Sequence, residues 1–157
     1  MPVTEIDIRV VPFDSAVAQK LIRAVLADLG ARYGGEGDET PVDAAEFVPP
    51  HGMFLVAHLD GEPVGCGGWR SHGEDGDTAE LKRMYTAPEA RGRGVARAVL
   101  AAIERSAHEH GRKRMILECG DQQPEAIAMY SSAGYERIPN FGFYRDSPNC
   151  ISFGRTL

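Results

Sequence analysis

Residues 80–96 read Glu80-Leu81-Lys82-Arg83-Met84-Tyr85-Thr86-Ala87-Pro88-Glu89-Ala90-Arg91-Gly92-Arg93-Gly94-Val95-Ala96. The alternation through Thr86 predicts a strand, and Pro88 breaks it. Gly92 and Gly94 then open a helix whose apolar side runs through Val95, Val99, Leu100, Ile103 and Ala107. Backbone N–H groups at a helix start lack partners and carry partial positive charge. Glycine lets an anion come close to them, and Arg91 and Arg93 add cationic donors. The stretch reads as a cradle for a pyrophosphate, or more plainly as a Gly-rich turn with solvated arginines. It is not a nucleotide-hydrolase loop, because GxxxxGK[ST] is absent. A dinucleotide fingerprint fails too, since Gly92-Arg93-Gly94-Val95-Ala96-Arg97 lacks the last glycine and follows the fourth predicted strand rather than the first.

Upstream, Ile6, Ile8 and Val10 alternate with Asp7 and Arg9 as a first strand. Asp14 or Ser15 caps a helix with Val17, Leu21, Val25 and Leu29 on one side, ending near Gly30 or Gly34-Gly35. Residues 36–50 form an acidic loop with a short helix at 43–47. Strands at 53–59 and 63–70 flank Asp60-Gly61, a hairpin signal. Gly65, Gly67 and Gly68 in the second of them predict close packing against the backbone. Downstream, Gly111 stops the helix, residues 115–117 form a short buried strand, and Pro124 starts another helix that Gly134 ends. A last strand is expected around 150–153, with one more possible after Gly134. Hairpins alternating with crossover helices predict one α/β (α+β) domain over residues 1–157. Its central sheet is mixed, mostly antiparallel, of six to seven strands flanked by helices.

The 157 residues carry 17 Lys and Arg against 23 Asp and Glu, a formal charge of −6. That balance argues against nucleic acid or an anionic membrane as partner. Cys66, Cys119 and Cys150 stand far apart with no CxxC, which predicts reduced thiols in a cytoplasmic protein. The N-terminus shows no secretory leader, and no run is long enough to span a membrane. His108 and His110, two apart on a helix, face different ways, so no metal is expected.

Arg91-Gly92-Arg93-Gly94-Val95-Ala96 resembles the (Q/R)xxGx(G/A) acetyl-CoA signature of the GNAT N-acetyltransferase superfamily. Gln123-Pro124-Glu125-Ala126-Ile127-Ala128-Met129-Tyr130, followed by Gly134-Tyr135, is similar to that family's second segment, roughly (N/Q)xxAxxLYxxxGF. The resemblance implies a GNAT-like fold and acetyl-CoA as co-substrate, with transfer of its acetyl group to a primary amine. Met84, Tyr85 and Thr86 would pair with the pantetheine arm. Arg91, Gly92, Arg93, Gly94, Val95 and Ala96 would hold the pyrophosphate, and Gln123, where relatives have Asn, would touch the cofactor.

The resemblance also implies catalytic roles. Tyr130 would protonate the departing thiolate, being neutral at an ordinary pKa of about 10; the alternative is a core tyrosine. Glu80 would be the base, directly or through water; the alternative is a charge paired with Lys82 or Arg70. Strand alternation puts Glu80, Lys82 and Met84 on one face and Leu81, Arg83 and Tyr85 on the other. Phe47, His51, Trp69, Phe141 and Tyr144 are candidate pocket aromatics, and the acidic loop favours a cationic small molecule. Arg112-Lys113-Arg114 is a solvated turn or a partner for the 3′-phosphate of CoA. The competing functions are a CoA-binding sensor without useful catalysis and a protein-lysine or N-terminal acetyltransferase. Relatives often form homodimers.

Overall fold

The computed structural model describes residues 5–157; the expectation of no leader rests partly on residues 1–4, which lie outside them. Seven strands form one sheet in the order β1-β2-β3-β4-β5-β7-β6 among these residues. They are β1 (Ile6–Val10), β2 (Gly52–Leu59), β3 (Glu62–Ser71), β4 (Thr78–Thr86), β5 (Arg114–Gly120), β6 (Glu136–Ile138) and β7 (Cys150–Thr156). Three helices cover it, α1 (Ala16–Tyr33), α2 (Val95–Glu109) and α3 (Pro124–Ser132). All pairings are antiparallel except β4 with β5. This is the mixed, mostly antiparallel sheet the sequence predicts.

Local chemistry sets the elements. The Ser15 hydroxyl accepts the Ala18 N–H and caps α1, and Gly34 closes it. Asp60 and Gly61 both adopt positive φ, 51° and 82°, in the tight turn between β2 and β3. Asp43 and Glu46 make a reciprocal capping box on a 3₁₀ turn at Ala44–Phe47.

The sheet separates two cores. On one face, α1 buries Ala18, Leu21 and Ile22 against Phe47, Phe54, Val56 and Cys66. On the other, α2 and α3 pack over Leu55, Trp69, Leu81, Met115, Leu117 and Phe153. Gly65 and Gly67 of β3 let α2 in. A Cβ on Gly65 would stand 2.8 Å from Val95 Cγ1, and one on Gly67 would stand 2.6 Å from Met84 Sδ and 2.9 Å from Ile103 Cδ1. Trp69 is fully buried, its Nε1–H donating to Ser106 Oγ at 2.9 Å.

Two features of β4 shape everything that follows. It pairs with β5 only through Thr78↔Arg114, Ala79↔Met115 and Glu80↔Ile116. Beyond Glu80 the strands part, leaving their facing backbone groups without a ladder. β4 also carries one extra residue against β3, since Cys66 faces Tyr85 while Gly68 faces Lys82. Arg83 sits in that bulge at φ 61°.

Candidate active site

The parting of β4 and β5 opens a cleft of about 450 Å3. One wall is Leu81 to Thr86 of β4. The other is Leu117, Glu118 and Cys119 of β5 with Gln123, Ala126, Met129 and Tyr130 of α3. The start of α2 closes the mouth with Arg91, Gly92, Gly94, Val95 and Ala96. Gly92 and Gly94 take φ 78° and 82°, a conformation that costs other residues energy, and nothing lies within 4 Å of where a Cβ would point. The first hydrogen bond of α2 runs from Ala98 N to Gly94 O. The N–H groups of Val95, Ala96 and Arg97 therefore precede any helical acceptor and face the mouth.

The cleft thus gathers Met84, Tyr85, Thr86, Arg91, Gly92, Gly94, Val95, Ala96, Gln123 and Tyr130. Arg93 is exposed and does not line it. Arg97 and Arg32 do, the latter tied to Glu125 at 2.6 Å. Tyr130 is 5% exposed, and burial pushes its phenol above the ordinary tyrosine range, so it keeps its proton at neutral pH. Cys119 lines the cleft as well, but burial pushes its thiol up to about 12, which leaves little thiolate.

Glu80 is brought elsewhere. It is 3% exposed, lines no part of the cleft, and accepts from Arg70 Nε at 3.1 Å. The alternative reading of Glu80, pairing with Arg70, is the one its surroundings match. The expected alternation also fails past Lys82. The bulge turns Lys82 and Arg83 to the same side, where both reach Asp38, and sends Met84 toward Ile103 under α2. The Arg112 guanidinium lies over Trp69 and donates to the Gly76, His110 and Pro50 carbonyls, away from the cleft. That fastens a turn rather than reaching a phosphate.

A second cavity of about 420 Å3 continues from the first, sharing Leu29, Asp38, Lys82, Glu118, Cys119 and Gln123 with it. Of the candidate aromatics only Tyr144 lines it, joined by Tyr33. Phe47 stacks on Phe13 in the core, and Phe141 packs edge-on to His72.

The acidic loop has mostly spent its charge on structure. Asp38 accepts from Lys82 Nζ at 3.0 Å, from Arg83, and from the N–H and hydroxyl of Thr40. Asp43 and Glu46 cap the 3₁₀ turn, and Glu46 also pairs with Arg70.

Glu118 is the site residue the sequence hides. It stands on β5 at the junction of the two cavities. Its Oε2 accepts the Tyr144 N–H at 3.0 Å, while Oε1 is buried with no partner. Gly142 packs against this carboxylate where any Cβ would collide. The predicted strand at 115–117 stops short of it; the usable signal is a carboxylate set directly between the apolar run Met115-Ile116-Leu117 and Cys119.

Among the described residues no group of three or more His, Cys, Asp or Glu side chains is arranged to hold a metal, and no helix is long and apolar enough to cross a membrane.

Comparison with known proteins shows the family and the fold. The family model described as Acetyltransferase (GNAT) family matches residues 17–135. An IAA acetyltransferase of Azospirillum brasilense is 36% identical over 146 residues, 93% of this chain and 94% of its own. A Klebsiella pneumoniae structure, described as a candidate acyl-CoA N-acyltransferase, superposes with a TM-score of 0.79 at 28% identity, covering 97% of each chain. A GNAT family acetyltransferase from Elizabethkingia anophelis, solved with acetyl-CoA bound, gives a TM-score of 0.70 at 16% identity over 97% of this chain and 98% of that one.

Proposed function

The chain belongs to the acetyltransferase (GNAT) family and is an acyltransferase, and from that premise we propose that it moves an acetyl group from acetyl-CoA to a primary amine of a small molecule or peptide by direct attack in a ternary complex. The observation that carries the reading is a single cleft with an unpaired strand edge on one side, an open helix start at its mouth and a buried tyrosine at its inner end.

The residues fit the co-substrate. The edge of β4 at Met84, Tyr85 and Thr86 takes the amide-bearing arm as an added strand would be taken. The N–H groups at the start of α2, with Arg91, hold the pyrophosphate, and the space over Gly92 and Gly94 admits it. Gln123 lies against the arm from the opposite wall. Bound there, acetyl-CoA supplies a thioester carbonyl open to attack.

Transfer forms a C–N bond, breaks a C–S bond and carries one proton from the amine to the sulfur. The backbone N–H beside Tyr85, in the unladdered part of β4, stabilises negative charge developing on the carbonyl oxygen. Tyr130, kept protonated by its burial, donates to the departing sulfur. Glu118 stands at the junction of the two cavities with its Oε1 against Gly142 and Oε2 on the Tyr144 N–H; a small shift of this carboxylate toward the cavity lets it receive the amine's proton. That role passes from Glu80, whose carboxylate is held by Arg70 outside the cleft. With Cys119 held as a thiol, no acyl-cysteine step is needed.

The test is thermal unfolding with acetyl-CoA, free CoA and ATP side by side, followed by thiol release with an amine panel. At one hundred times Kd a specific ligand stabilises by about 2.7 kcal/mol, so acetyl-CoA raises the melting temperature and ATP does not. Tyr130→Phe lowers kcat by about 100-fold with little change in acetyl-CoA affinity. Loss of turnover together with loss of cofactor binding would argue that Tyr130 only packs. No shift with any CoA species would end the reading.

A further inference from the structure

The segment between β6 and β7, residues 139–149, lies across the Glu118 carboxylate. Oε2 accepts the Tyr144 N–H at 3.0 Å and the Cys150 Sγ–H at 3.4 Å. Burial and the Glu118 charge push the Cys150 thiol up to about 11, so it keeps its proton and donates. Oε1 is buried against Gly142 with no hydrogen-bond partner. The φ of Gly142 lies outside the left-handed region, so space and not backbone conformation calls for glycine there. A Cβ would stand 2.7 Å from Glu118 Cδ and 3.1 Å from Oε2, and closer still to Oε1. The three nearest atoms all belong to Glu118. The segment itself is braced. The Gly142 carbonyl accepts from the Arg145 N–H and guanidinium, each at 3.1 Å, and the Tyr144 hydroxyl accepts the Glu39 N–H at 2.6 Å. The far end of the Glu118 side chain is therefore the part free to give way, and the two cavities are its open side.

We infer that Gly142 is a positioning residue for acetyl transfer: its missing side chain gives the Glu118 carboxylate a resting place set back from the second cavity, and an arriving ammonium draws the carboxylate forward. The inference rests on the acetyl-transfer reading, with Glu118 as proton acceptor, and adds the control of that carboxylate. Two opposing costs set the balance. At rest Oε2 keeps its donors, but Oε1 has none, and an unpartnered buried carboxylate oxygen is costly. Moving forward gives up the Tyr144 N–H, which something must replace. An ammonium brings three donors and the opposite charge, and such charge-assisted bonds are roughly twice as strong as neutral ones. Lys82, the one cation among the residues lining the second cavity, is already held by Asp38 and does not draw Glu118 out. The set-back position thus leaves room for the amine and puts the carboxylate within a short swing of it.

The experiment uses the full chain with acetyl-CoA and follows thiol release with a diamine, an amino acid, an aminoglycoside and a dipeptide, the fastest of which serves as probe. The blocking atoms end a flexible side chain, so Gly142→Ala folds and melts within about 4 °C of the parent. Its methyl holds the carboxylate forward in the space the amine needs. One methylene in a pocket is worth roughly 10–200-fold, so KM for the probe amine rises about tenfold or more, while acetyl-CoA still raises the melting temperature. Glu118→Asp added to Gly142→Ala shortens the side chain by one methylene and restores most of that KM. In the parent background Glu118→Asp lowers kcat and leaves KM, because the shorter side chain reaches less far. An unchanged KM in Gly142→Ala, or a raised KM that Glu118→Asp does not restore, overturns the inference. A Gly142→Ala chain that does not fold shows that the segment and not the carboxylate must give way, and overturns it as well. Glu118→Gln separates the two readings. Full turnover in that variant removes Glu118 from proton transfer and takes the inference with it. Lost turnover there beside a normal KM in Gly142→Ala ends the inference alone. A parent protein that acetyl-CoA stabilises but that acetylates none of the four amines loses the acetyl-transfer reading and the inference together.

Discussion

Arg83 is one of two non-glycine residues found at positive φ among the described residues, and the energy that conformation costs, about 1–2 kcal/mol, has a use. Without the bulge, strand alternation sends Lys82 and Arg83 to opposite faces. With it, both reach Asp38, and one carboxylate ties the acidic loop to the central strand. Burial alone would raise the pKa of Asp38. Lys82, Arg83 and the two Thr40 hydrogen bonds outweigh it and hold the carboxyl below its ordinary value. A folded pKa below the unfolded value of about 3.9 contributes stability above that pH and loses it as pH falls through the folded value. Asp38→Asn is expected to cost about 3 kcal/mol at pH 7, because it strands two buried cations. As pH falls through the lowered folded value the gap to the parent protein should narrow, since protonation removes the same charge from the parent. Denaturant melts at pH 7 and through an acid series check this; a gap independent of pH would mean that Asp38 contributes shape and not charge. None of this was legible in the sequence, because Asp38 sits in a loop whose other acids are solvent-facing or caps, and nothing local marks which acid turns inward.

At the scale of the element, β3 and α2 depend on each other through glycines. Gly67→Ala would drive a methyl into Met84 and Ile103, at about 1–3 kcal/mol of stability. Because Met84 also lines the cleft, the same change should raise KM for acetyl-CoA. Gly73→Ala is the control: it has open space and only a strained φ, so it should lower stability by about 1 kcal/mol and leave KM alone. Equal KM values in both variants would sever the link between packing and the cleft. Elements were the most readable level of this chain. Asp60-Gly61 gave a turn, Ser15 a cap, Pro124 a helix start and the β3 glycines a packing surface, all because each signal is local chemistry. The strand predicted at 115–117 is short for the same reason: Glu118 and Gly120 interrupt the apolar run, although pairing with β7 carries β5 through Gly120. The β4 bulge left no mark, since an extra residue shows only against its partner strand. The candidate cofactor residues follow a motif at a strand-to-helix junction, whereas a candidate base requires knowing which carboxylate faces the opening, and the family resemblance points to Glu80.

For the molecule as a whole, the backbone bonds between its halves are few. β1 through β4 form one antiparallel run, β5, β7 and β6 another, and three paired positions join them before the strands diverge. Amide exchange reads such a seam directly. With acetyl-CoA, protection should rise most at 81–86 and 117–120, by up to about 2.7 kcal/mol at one hundred times Kd, and least in β1 and β2. Protection spread evenly over the sheet would show that the halves open together and that the seam is no weaker than the rest. If the pattern holds, a bound substrate arm serves as the missing rungs of a ladder. The protein is then at its loosest between turnovers, and handing over its cargo leaves its two runs of strands hinged on three pairs alone.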